Sequence, residues 1–166
     1  RFFFFIHYPE DFEMKIKKNI SLFTLILTFS FLTFNNSCSE RNETVNCFPN
    51  TLVSVNTNLN LQPYINDLQQ KGWTYIDEQQ AGTRGLILVK NLNGQIYVFD
   101  RNAPHICPGS DTTLEVVNNQ KIVCPKDGAE WIMSSGQPIN DQTKGVSPKR
   151  YMFDYNPSTG QISIYN

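Results

Sequence analysis

The stretches "RNAPHICPGS" (101–110) and "VCPKDGAEW" (123–131) decide how this chain is read. Each sets Pro beside His or Cys in a short loop that follows a strand-like apolar run. The first presents Ala103, His105 and Cys107, the second Cys124 and Asp127. Imidazole, thiolate and carboxylate are the side chains that ligate transition metals. The two stretches therefore read as halves of one site, divided between two hairpins.

The surroundings are β throughout. "GLILVKN" (85–91) is a continuous apolar run, the pattern of a strand buried on both sides. Asn93-Gly94 then supplies a hairpin turn, and "QIYVFD" (95–100) returns the chain into the first loop. "TTLEVVNNQKIVCP" (112–125) predicts a second hairpin, turning at Asn118-Asn119 and ending in the second loop. "AEWIMSSGQPI" (129–139) turns at Ser135-Gly136. "RYMFDYNPSTGQISIYN" (150–166) is a fourth hairpin, with Tyr151, Phe153 and Tyr155 on one face. Upstream, "LVSVNTNLNL" (52–61) alternates, with Val53, Val55 and Leu59 on the apolar side, and "GWTYID" (72–77) puts Trp73 and Tyr75 on one face. Only "YINDLQQ" (64–70) offers one or two helical turns. Short, regularly punctuated strands predict an all-β antiparallel sandwich or barrel.

The N-terminal part reads differently. Residues 1–13, "RFFFFIHYPEDFE", match no targeting pattern and read as upstream sequence translated ahead of Met14. From Met14, a basic "MKIKKN" precedes the 15-residue apolar run Ile20–Phe34. That run is short of the roughly 20 residues a membrane span needs, so residues 14–37 are expected to be a secretory signal peptide. Cys38 follows directly and resembles a lipobox cysteine of the Bacteroidetes type, with Ser37 in place but Asn35 where Leu is usual. The expectation is a lipid anchor on Cys38, giving a peripheral envelope lipoprotein of the periplasm or outer membrane. The alternative is a plain secreted chain, with Cys38 free or paired with Cys47. Residues 38–50 are polar and read as a tether. The domain is then 51–166.

The flanks of the two loops carry a resemblance. "GQIYVFDRNAPH" (94–105), "TTLEVVNNQKIV" (112–123) and "CPKDGAEWIMSSGQP" (124–138) resemble the segments around the two loops of a Rieske [2Fe–2S] domain. That family holds its cluster with C-x-H in one loop and C-x-x-H in the next, two thiolates on one iron and two imidazoles on the other. The resemblance spans roughly residues 51–166 and implies a Rieske-like fold with two adjacent loops. It matches Ala103 to the first Cys, His105 to the first His, Cys124 to the second Cys and Asp127 to the second His. Ala103 and Asp127 are not competent in the usual way. The whole chain has two His, and His7 precedes Met14. His105 is therefore the single imidazole of the expected mature chain, and an ordinary Cys₂His₂ cluster cannot form from it.

Two outcomes stay open for the remaining donors. A shifted frame offers His105, Cys107, Cys124 and Asp127 to a non-standard [2Fe–2S] cluster or a single metal, although a carboxylate suits a soft cluster poorly. The other outcome is no cofactor. Rieske domains of the cytochrome bc type carry an extra disulfide between the cluster loops, which implies a Cys107–Cys124 bridge here, worth about 3 kcal/mol. Cys47 is then unpaired and unused. Lys126, Asp127 and Gly128 read as a solvated loop tip, and Trp131 as core packing behind the loops.

Charge and composition exclude further classes. A net charge of −1 gives no basic surface for nucleic acid. Ser134-Ser135-Gly136 lacks a base to make a serine nucleophile, so a hydrolase is not expected, and the chain is too short to hold a second, catalytic domain. Two functions remain in view. One is an electron carrier with non-standard ligands. The other, favoured by Ala103 and Asp127, is a cluster-free Rieske-like module tethered to a membrane and used for binding or assembly with an envelope protein.

Overall fold

The computed structural model describes residues 44–166. The expected signal peptide (14–37) and the expected lipidation at Cys38 fall outside the described residues. The described residues form nine strands: β1 (Ser54–Asn58), β2 (Trp73–Ile76), β3 (Leu86–Lys90), β4 (Ile96–Asp100), β5 (Glu115–Val117), β6 (Lys121–Val123), β7 (Glu130–Ile132), β8 (Met152–Tyr155) and β9 (Gln161–Tyr165). One helix, α1 (Tyr64–Gln70), and a 3-10 turn at Asp141–Thr143 complete the elements among the described residues. The strands make three antiparallel sheets of three, in the orders β1-β9-β8, β2-β3-β4 and β5-β6-β7. The expected all-β antiparallel class is present.

The middle sheet, β2-β3-β4, separates two apolar clusters because its side chains alternate with period two. Ile76, Leu86, Leu88, Ile96 and Val98 pack on one face with Val53 and Val55 of the β1 segment and Ile162 and Ile164 of β9. Trp73, Ile87, Val89 and Phe99 pack on the other with Leu114, Ile122 and Trp131. That is why "LILV" is apolar at every position: Leu86 to Val89 are all buried, on alternating sides. Each such side chain contributes roughly 1.5–3 kcal/mol of hydrophobic stabilisation. Helix α1 buries no residue completely, but Tyr64 and Leu68, one turn apart, lean on the first cluster.

The turns follow their chemistry. Asn118 and Asn119 both have positive φ, 54° and 55°, as a tight hairpin between β5 and β6 demands. Gly136 turns the chain after β7 at φ 72°, and a Cβ there would lie 2.7 Å from Phe99 Cε1. No other residue fits without displacing that ring. The returning segment pairs with β7 only through the bridge between Trp131 and Pro138, so the expected third hairpin is one strand and a bridge.

Candidate functional site

The second cluster is the floor on which both loops stand. The first loop leaves β4 at Asp100, whose carboxylate is buried. Its Oδ1 accepts the Asn102 backbone N–H (2.6 Å) and Asn102 Nδ2 (2.8 Å), and its Oδ2 accepts the Tyr151 hydroxyl (2.6 Å). Burial and that contact push the Tyr151 hydroxyl far above its ordinary value. The arch then closes on itself. Ala103 N–H donates to Thr112 O at 3.3 Å and Leu114 N–H to Arg101 O at 2.8 Å. Arg84 reaches across to donate to Thr113 Oγ1 and Gly109 O.

The second loop joins β6 to β7. Cys124 N–H donates to Ala129 O (2.9 Å) and Gly128 N–H returns to Cys124 O (3.0 Å), with Gly128 at φ 71°. Asp127 Oδ1 accepts the Ala129 N–H at 3.2 Å, a local side-chain turn. A third segment supports both loops. Asn140 accepts from Glu130 N–H and donates to Gly128 O at 2.8 Å. Lys144 Nζ donates to His105 O at 3.2 Å, and Val146 O accepts the Trp131 indole N–H at 2.7 Å. Asn140 and Lys144 carry no signal in the sequence, because a polar residue in a loop gives no hint of which distant backbone group it meets.

The loops bring His105, Cys124 and Asp127 together. Their ligand-capable atoms all lie within 4.8 Å of one another, the one such group among the described residues. His105 Nε2 is 2.7 Å from Asp127 Oδ2. His105 is 1% exposed and tilted against Trp131 at 5.3 Å between ring centres. Cys124 is 0% exposed, whereas the Asp127 side chain keeps 30% of its surface. Asp127 is thus the rim of the site, bonded inward, and not a free loop tip as its sequence context predicts. Trp131 packs behind the loops as expected.

The protonation states follow from these contacts. Partial burial works against ionisation of Asp127, but hydrogen bonds from His105, the Ala129 N–H and the Cys124 thiol outweigh it and hold the carboxyl below its usual range. An ionised carboxylate only accepts, so the proton in the short contact belongs to His105 Nε2. His105 Nδ1 is buried and finds no partner. Burial pushes the Cys124 thiol up, the Lys126 N–H works against this, and Asp127 adds to the rise. A buried, protonated thiol is not a nucleophile.

The cysteines pair differently from the expected Cys107–Cys124 bridge. The disulfide joins Cys47 to Cys107, with Cα atoms 5.5 Å apart, and Cys124 is a free, buried thiol. The reason is placement. Cys107 lies on the exposed side of its loop, while Cys124 lies in the floor beneath. Residues 44–50 are also not a wholly solvated tether. Val45 N–H donates to Pro104 O at 2.9 Å, which carries Cys47 to Cys107. Cys47 is therefore used, and Cys107 drops out of the four-residue ligand set.

The fit to a two-iron cluster can be judged residue by residue. Ala103, where the first thiolate would stand, is 2% exposed and packed into the apolar cluster. Cys107 is oxidised to a disulfide, and one imidazole is present among residues 14–166. One thiol, one imidazole and one carboxylate do not fit a [2Fe–2S] group.

The fold and its paired loops thus define an all-β domain with a three-residue polar site. No family model matches the chain, and no curated protein matches it in sequence. Among solved structures it is similar to a chain provisionally described as an NADH-dependent nitrite reductase small subunit from Mycobacterium tuberculosis. The identity is 13%, covering 69% of this chain and 96% of that one, with a TM-score of 0.39. A second chain, provisionally described as a nitrite reductase [NADPH] small subunit, has 14% identity, covers 68% of this chain and 98% of that one, and has a TM-score of 0.39.

Proposed function

We propose that this is an exported envelope lipoprotein, anchored through Cys38, whose Rieske-like domain has lost its [2Fe–2S] cluster and serves as a binding or assembly module. It is not a stand-alone enzyme and works on a partner protein of the envelope. The observation that carries the reading is the fate of the four ligand positions. Ala103 has become part of the floor, and Asp127 has become the hydrogen-bond partner of His105. His105 Nε2 and the Cys124 thiol are therefore engaged by Asp127. The Cys47–Cys107 disulfide fits an oxidising compartment and fastens the start of the domain to the first loop, a task that metal ligation performs in loops that hold a cluster.

The test is iron and acid-labile sulfide content, with a visible spectrum, on protein purified anaerobically. A colourless, folded, sulfide-free chain is the expected result. Two irons and matching sulfide per chain would overturn the reading and restore the electron carrier.

A further inference from the structure

We infer that His105, Cys124 and Asp127 form a site for one divalent cation of borderline softness, with zinc the best fit. The inference rests on the cluster-free reading of the two loops and adds a ligand to it. Three observations carry it. The first is convergence: one nitrogen, one sulfur and one carboxylate oxygen lie within 4.8 Å of one another, drawn from two separate loops. Bond lengths of about 2.0–2.3 Å to a tetrahedral zinc place its donors roughly 3.3–3.6 Å apart. The widest pair here needs to close by only about 1 Å on that geometry, and the His105–Asp127 pair, at 2.7 Å, to open slightly.

The second observation is the imidazole. His105 is buried, one nitrogen is held by Asp127, and Nδ1 has no partner. A buried polar atom left unpaired costs about 1–3 kcal/mol, so the protein alone leaves this ring under-satisfied. A cation relieves it. With the ion on Nδ1, Asp127 keeps the Nε2 proton, the carboxylate–histidine–metal arrangement common around zinc. With the ion on Nε2, Asp127 becomes a direct ligand. The first relieves Nδ1 and has two protein donors, with Asp127 as their support; the second has three donors, and the ring proton moves to Nδ1.

The third observation is access and rigidity. Cys124 and His105 are fully enclosed, while Asp127 reaches solvent, so an ion and its water enter past the carboxylate. Asn140, Lys144 and the Trp131 indole hold the loops from behind. In the Nε2 arrangement, three protein donors and an open fourth position for water match the mixed-ligand zinc site; in the Nδ1 arrangement, waters complete the shell of His105 and Cys124. The soft thiolate argues against Mg²⁺ or Ca²⁺, and the lone sulfur against a cluster. Binding exchanges the Cys124 thiol proton for the ion, and the proton leaves to solvent.

The test uses the full chain in detergent, disulfide intact, stripped with a chelator and titrated with Zn²⁺ and with Co²⁺ as the coloured substitute. One ion per chain is expected, with a thiolate-to-cobalt charge-transfer band and tetrahedral visible bands, and with Zn²⁺ raising the thermal unfolding midpoint. Cys124→Ser should abolish the charge-transfer band. Asp127→Asn, at a partly exposed position, should keep the fold by circular dichroism. It should weaken binding on the order of 10- to 100-fold, the loss typical even of groups that only support a ligand. An unshifted midpoint without cobalt bands, or bands that survive Cys124→Ser, would overturn the inference. Absence of both metal and sulfide defeats the inference and leaves the cluster-free reading standing. Labile sulfide defeats that reading itself.

Discussion

Each loop has one position, Ala103 or Asp127, where the resemblance implies a cluster ligand and this chain carries another residue, and the two positions are built in opposite ways. In the first loop the replacement is apolar. Ala103 points into the cluster of Phe99, Leu114, Ile122 and Trp131 and is sealed from water. In the second the replacement is charged. Asp127 stays at the rim, ionised, and bonds His105. One loop uses its position for packing, and the other uses its position for a polar contact. The lesson is that burial decides what may replace a ligand. A position with no access to water accepts only what the floor accepts, whereas a position at the rim tolerates a charge that has a partner.

Placing a charge at the sealed position breaks this comparison most directly. Ala103→Asp puts a carboxylate into the apolar cluster of Phe99, Leu114, Ile122 and Trp131. An unpaired buried ion costs several kcal/mol, so a loss of about 5 kcal/mol or more is expected, comparable to the whole stability of a small domain. Urea unfolding, or failure to recover soluble folded protein, reads it. A stability close to that of the parent would show that the floor is open to water and that the contrast between the loops is false.

The next effect concerns how each loop is held. The first loop is strapped by Cys47–Cys107, across a separation of 60 residues, while the second is held by hydrogen bonds, the Lys126–Asp111 ion pair and the packing of Cys124 and Ala129. Closing a loop of that length in the unfolded chain is worth about 4 kcal/mol on the chain-entropy account. Cys47→Ser is expected to lower the stability by about that amount while leaving the His105–Asp127 contact in place. Comparing the variant with the parent under reducing conditions checks it. With the strap gone in both, the difference should vanish.

These contrasts also show which features the sequence made legible. The β3–β4 and β5–β6 hairpins followed from alternation and turn chemistry, because "LILV", Asn93-Gly94 and Asn118-Asn119 act locally. The candidate site was legible at His105, Cys124 and Asp127, because their spacing within each loop is local as well. The disulfide partner was not. Cys47 sits in a polar stretch with no pattern of its own, and long-range contacts such as the Val45 N–H bond to Pro104 bring it to Cys107. The role of Asp127 was misread for the same reason. Lys-Asp-Gly is the composition of a solvated turn, and nothing near it in sequence announces a buried imidazole 22 residues away. Long-range polar contacts leave no periodic trace.

The smallest expected effect tests the second loop alone. Asp127→Ala leaves His105 buried with neither nitrogen paired, at a cost of about 1–3 kcal/mol in the metal-free chain. Its signature is in the pH dependence. The Asp127 carboxyl is held below its ordinary value of 3.8 by His105, the Ala129 N–H and the Cys124 thiol against the opposing effect of burial. The stability from a depressed carboxyl is fully present above the ordinary value and is lost as pH falls through the folded-state value. The parent should therefore lose stability below about pH 4 more steeply than Asp127→Ala, and the two curves should converge in acid. Parallel curves would mean that the His105–Asp127 contact does not favour the ionised carboxylate. The second loop would then hold its replacement as passively as the first holds Ala103.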